Sequence, residues 1–213
     1  MRNFNIAKQQ QGAVLLVALV MLLVLTILAV SNLRGVTLES RITANRAETQ
    51  RLHDVADAAL REGEFRFYGA ANLRAKLEHQ AENCKDSNKL VKNLSKPCLL
   101  KTIPQNELKS FYDDPIEYLG KSGSTTTGDA LLWMKYRGLD AEEDHYYQPE
   151  SKRNSFWNTY LISASADESE ALNAEYGAVL EGRGTYFYLV NGQANDELAV
   201  QSTTANIYVG LNN

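Results

Sequence analysis

The chain has 213 residues, 44% of them hydrophobic and 23% charged, and a formal net charge of -4. Those values are ordinary for a globular chain, and an acidic balance without a basic stripe excludes a nucleic-acid partner from the expectations. The apolar residues crowd the first third, and the roughly 145 residues after Tyr68 are enough for one domain with its own core.

Residues 12–33 read GAVLLVALVMLLVLTILAVSNL. No charged side chain occurs from Ala13 to Leu33, and Thr26, Ser31 and Asn32 are the polar ones. As a helix, Ala13 to Val30 spans roughly 27 Å, close to the thickness of a bilayer's hydrocarbon core. A secretory signal has a shorter apolar core and a small-residue cleavage site, and Leu33-Arg34-Gly35 makes a poor one. A buried core helix is seldom uncharged over such a length. The run therefore predicts a membrane span. Arg2 and Lys8 precede it and Arg34, Arg41 and Arg46 follow it, so charge counting does not orient it.

No proline interrupts the chain from there to Tyr68, and a helical pattern persists. Leu38, Ile42, Asn45, Thr49, Leu52, Ala56, Ala59, Leu60, Gly63 and Phe67 recur at three- and four-residue spacing. They form one stripe that turns apolar after Leu52, where a domain would begin to cover it. Ser31, Asn32, Gly35 and Thr37 are poor helix formers, so a softer point is expected near Gly35, without an obligate break. Asp57 with Arg61 and Glu62 with Arg66 are i,i+4 pairs, expected on a solvated face.

Beyond Gly69, residues 70–83 predict a short amphipathic helix with Leu73 and Leu77 inward. Cys84 and Cys98 are the chain's two cysteines. If the domain lies outside the cytoplasm, a disulfide between them is the default. Pro104 to Tyr112 predicts one or two helical turns. Asp114-Pro115 and the run Gly120 to Gly128 read as loop, and that run lacks the lysine ending of a phosphate-binding loop. Asp129 to Tyr136 fits helix or strand. The acidic run Asp140 to Asp144 does not match a calcium-loop spacing, so no metal is predicted.

From Trp157 the texture is β. Trp157 to Ser165 and Gly184 to Val190 predict strands, Asn191-Gly192 a hairpin turn, and Leu198 to Leu211 a partner strand with Ile207, Val209 and Leu211 on one face. Helices followed by three or four strands are an α+β order.

The leader, MRNFNIAKQQQG, is short, polar and basic and ends in glycine against the apolar run. It resembles the prepilin leader of type IV pilins and type II secretion pseudopilins. The resemblance implies cleavage by a prepilin peptidase between Gly12 and Ala13, methylation of the new N-terminus, and an N-terminus inside with the domain outside. The usual first mature residue is phenylalanine, so Ala13 is a departure. Major pilins carry glutamate at the fifth mature position, where this chain has Val17. A carboxylate at that depth is costly unless paired with the terminal amine of the subunit ahead. An aliphatic residue suits a subunit with none ahead.

Thr37, Glu39, Asn45, Arg46, Ala56, Ala58, Ala59, Leu60, Arg61 and Glu64 resemble the N-terminal signature of the PilX-type minor pilins, with Asp57 as a mild departure. The resemblance, over about residues 9–66, implies a pilin-like fold, a long N-terminal helix packed on a C-terminal antiparallel sheet. It divides the chain into leader 1–12, transmembrane half 13–33, amphipathic half 34–68 and globular domain 69–213. Its implied assembly residues are Val17, Ile42, Asn45, Arg46 and Leu52. Other minor pilins, the large tip adhesin, the prepilin peptidase and, before assembly, the inner membrane are the implied partners, and the pilus tip the final location.

His53, His79 and His145 match no zinc spacing, and no nucleophile sits in a hydrolase setting. Neither enzyme activity nor a cofactor is predicted. Two other readings remain open: a K-type pseudopilin of type II secretion, and a membrane-anchored periplasmic binding domain or enzyme.

Overall fold

The computed structural model describes residues 7–69, 72, 76–88, 96–126, 129–138, 155–162 and 184–208. The leader's first six residues, the Asp140 to Asp144 run, His145, Leu73, Val209 and Leu211 lie outside them. The chain divides into two units, Met1–Thr49 and Gln50–Asn213.

One helix, α1 (Ala7–Phe65), begins in the first unit and continues into the second. It is continuous through Gly35, whose surroundings are open. In the first unit its apolar residues lie on the surface: Val14 is 68% exposed, Leu25 65% and Leu33 63%.

Burial starts at Leu52 and continues with Ala56, Ala59, Leu60 and Phe67, the apolar part of the stripe. A 3-10 turn, Arg66–Tyr68, closes the helix. The domain's sheet is antiparallel with spatial order β1-β2-β3-β4: β1 (Met134–Lys135), β2 (Ser155–Ile162), β3 (Gly184–Ala194) and β4 (Leu198–Tyr208). The fold is α+β, as the element order predicts.

Small residues let α1 lie close along β3. A Cβ on Gly192 would sit 2.3 Å from the Ala56 carbonyl oxygen, and one on Gly63 2.7 Å from Val190. Around these contacts Leu60, Phe67, Tyr186, Tyr188, Val190 and Tyr208 form a core on the helix side of the sheet. A second core on the opposite face joins Tyr160 and Leu189 to Leu100, Ile103 and Phe111. Phe111 comes from α2 (Leu108–Asp113), which α3 (Pro115–Leu119) follows.

The chain differs from expectation in several places, each with a local cause. Asn191-Gly192 is not a turn but the middle of β3, paired with Asn158 and Trp157. Gly192 is required there by the approach of α1. The turn falls at Asn195 and Asp196, with φ of 58° and 56°, and the Glu197 amide donates to the Ala194 carbonyl. Asn and Asp tolerate the left-handed region that such hairpin turns need. In β4, Ile207 is 66% exposed while Asn206 and Tyr208 are buried, so the face that carries Ile207 is the outer one there.

Asp114-Pro115 is a helix start rather than a loop: the Asp114 carboxylate accepts from the amides of Ile116 and Glu117, with proline at the first turn. Residues 76–80 are not helical. There the Leu77 amide donates to the Tyr188 hydroxyl at 3.2 Å, and a His79 ring nitrogen meets the Leu99 carbonyl at 2.5 Å. Those tertiary bonds replace the helical ones. Leu77 still packs against the core.

Candidate assembly site

Within the first unit, the most apolar 18-residue window of the helix has a mean hydropathy of 3.3 and is 0% buried. It is long and apolar enough to cross a membrane. Each of its large side chains therefore needs lipid or another helix around it. Val17 sits in this stretch, 54% exposed. Gly12 and Ala13 both fall inside the helical backbone.

The following turns carry a mixed surface. Leu38 and Ile42 are 61% and 44% exposed. Asn45 and Arg46 are exposed beside them, and the Asn45 carbonyl accepts from the Thr49 hydroxyl at 2.9 Å. Leu52, in the second unit, is buried against Ala56 and Ala194. The structure thus leaves Val17, Ile42, Asn45 and Arg46 on the surface and places Leu52 in the domain's core.

Asp57 and Arg61 form an ion pair at 2.7 Å on the solvated face, as the spacing predicts. Glu62 and Arg66 do not lie on that face. Their ion pair, at 2.8 Å, is buried, with side-chain exposures of 0% and 1%. The second Glu62 oxygen accepts the amides of Arg137 and Gly138 at 2.6 and 3.0 Å. Arg66 donates to the Asn88 side chain at 3.2 Å and stacks 5.2 Å above the Trp157 ring. Burial lowers the Arg66 pKa, and Glu62 opposes that shift. The pair therefore joins α1 to the turn after Cys84 and to the segment after β1. Helical spacing alone offers no sign of this, because the covering segments are distant in sequence.

Cys84 and Cys98 are joined by a disulfide, and both are buried. The bridge closes a loop of sequence separation 14, which in the chain-entropy picture contributes about 3 kcal/mol. Just after Cys98 the chain bridges parallel to β2 at Leu99 and Thr159. The bridge therefore ties the Asn88 turn to the sheet.

Among the described residues, two cavities of the domain can be traced. One, of about 290 Å³, is lined by Lys76, His79, Leu99, Tyr160 and Leu161. The other, of about 390 Å³, includes His79, Cys84, Glu107, Tyr118 and Leu131. In the second, the Tyr118 hydroxyl donates to Glu107 at 2.6 Å, and that bond pushes its pKa up to about 12. Such a phenol stays protonated and is no nucleophile near neutrality. Cys84 is held in the disulfide. Among the described residues, no group of three or more His, Cys, Asp and Glu gathers to hold a metal ion.

A long N-terminal helix, apolar in its first half, packs from Leu52 onward on an antiparallel sheet, the arrangement that the resemblance to pilins implies. Residues 11–61 match the PilX N-terminal family. The chain carries a PilX-type N-terminal segment, which supports a PilX-type pilin of type IV pili and fits a membrane-anchored pilus component. The match covers most of α1 and none of the chain beyond Arg61. No curated protein and no solved structure matches the chain.

Proposed function

We propose that the chain is a minor pilin whose leader is removed after Gly12 and whose helix assembles with other minor pilins into the complex that primes and caps a type IV pilus. Its role is structural, without catalysis. The observation that carries the reading is the uncovered apolar stretch of α1, 0% buried over its most apolar window near the N-terminus, on a segment of PilX type. Before assembly that face is solvated by the inner membrane, with the N-terminus cytoplasmic and the domain periplasmic. On assembly, neighbouring helices replace lipid around Val17 and reach Ile42, Asn45 and Arg46. Val17 suits a leading place, because it leaves no buried carboxylate without an amine. The domain then stands at the tip, where it can hold the large adhesin.

The test is purification of the full chain from membranes in mild detergent, followed by identification of what comes with it. Other minor pilins of a pilus are the expected companions. Type II secretion components would favour the K-type pseudopilin instead. Recovery of the chain alone, at native expression of all pilus components, would contradict both.

A further inference from the structure

β4 is the outer strand of the sheet, 11 residues long and paired without interruption to β3 from Leu198 to Tyr208. Its sequence, LAVQSTTANIY, holds no charge, no proline and no glycine. Exposed edge strands are ordinarily blunted by charge, proline, bulges or short length, since their free amides and carbonyls recruit other strands. This strand has none of those devices. Among the described residues, no backbone hydrogen bond reaches its outer edge. On the face away from α1, Gln201, Thr203, Ala205 and Ile207 are exposed and uncharged, so none of them repels a strand laid alongside.

We propose that β4 is a docking edge that receives an extended segment of a second protein as a fifth strand. The proposal rests on the assembly function above and names the surface by which the domain takes part in it. The recognising chemistry is backbone pairing along β4, with uncharged β-branched or small side chains beside Thr203, Ala205 and Ile207. The segment is basic where it passes Glu197, which is exposed at the start of β4. Charge also argues for a different protein rather than a second copy. Beyond Tyr68 the chain has 20 Asp and Glu against 14 Lys and Arg, so two copies edge to edge oppose like charge.

The experiment uses the full chain in detergent, alone and in the complex co-purified with its minor-pilin partners. Backbone hydrogen exchange is read over residues 199–207 in both samples. In the free chain, amides on the outer edge exchange rapidly; in the complex they slow by at least about tenfold. A Thr203→Lys/Ala205→Lys chain, blunted at the edge, keeps its disulfide and its melting temperature but loses that protection. Glu117→Lys, at an exposed position of α3, keeps it. A photo-crosslinker at Thr203 must reach an uncharged stretch of a different protein with a neighbouring Lys or Arg. An assembled complex in which β4 exchange is unchanged overturns the docking edge and leaves the minor-pilin reading intact. Crosslinking of Thr203 to a second copy overturns it as well. Failure of any complex to form, with the leader retained, removes both readings together.

Discussion

Gly192 lies so close to Ala56 that a Cβ on it would stand 2.3 Å from the Ala56 carbonyl oxygen and 2.6 Å from the Leu60 amide nitrogen. Both are backbone atoms of α1, so neither can swing aside as a side chain would. The seat of the helix on the sheet depends on this one missing methyl group. Gly192→Ala is therefore expected to destabilise the domain by about 3 kcal/mol, at the upper end for overpacking. Thermal or denaturant unfolding of the full chain in detergent measures it. Gly35→Ala, in open surroundings on the same helix, should not destabilise the chain.

Arg66→Met should cost about 3 to 5 kcal/mol, because it strands the buried Glu62 carboxylate. It also removes the cation above Trp157 and the donor to Asn88. Glu62→Gln should be destabilising as well, because it leaves the buried Arg66 guanidinium without its carboxylate, although the amide oxygen can still accept from Arg137 and Gly138. Asp57→Asn, at the solvated pair, should change stability by well under 1 kcal/mol. Denaturant midpoints of the three variants rank them, and equal effects at Asp57 and Arg66 would contradict the buried role.

The domain's acid sensitivity has an identifiable contributor in Asp196. Burial raises its pKa, but bonds from the Ser122 amide at 2.6 Å and the Ser122 hydroxyl at 2.8 Å outweigh that, and the net shift is downward from 3.8. A carboxyl depressed in the folded state contributes stability that is fully present above its unfolded pKa. That contribution is lost as pH falls through the lower folded value. Asp196→Asn should therefore lower the melting temperature at neutral pH. The gap to the parent chain should close as pH falls from about 4 toward about 2. A gap that stays constant over that range would show that the Ser122 link does not depend on the charge.

The elements that were legible in the sequence are those whose pattern is local. The uncharged run from Ala13 announces its helix by length, and Leu52, Ala56, Ala59, Leu60 and Phe67 announce the buried face by spacing. The β texture that begins at Trp157, Gly184 and Leu198 is equally local. What escaped was set by partners far along the chain. Asn191-Gly192 has turn chemistry, yet the glycine serves the contact with Ala56. Glu62 and Arg66 have the spacing of a surface pair, yet Asn88, Arg137 and Trp157 close over them. Leu77 sits where a helix was expected, but Tyr188 takes its amide. Of the proposed assembly residues, Val17, Ile42, Asn45 and Arg46 lie on the surface and Leu52 does not.

Val17→Glu tests the proposed leading place in the filament. A glutamate there would lie in lipid or among helices without an amine to meet, at a cost of several kcal/mol. Incorporation into pili should fall sharply, while the domain's fold and disulfide are unchanged. Quantifying the variant in sheared pili against total membrane protein reads this out. Wild-type incorporation, with the new carboxylate paired to another subunit's terminal amine, would contradict it.

The processing site offers the most direct measurement. The full chain, co-expressed with a prepilin peptidase, should show by intact mass the loss of residues 1–12 and an N-terminal methyl group on Ala13. Gly12→Phe should block both. A chain that keeps its whole leader beside an active peptidase, one that processes a known prepilin in the same cells, would contradict the account at its root.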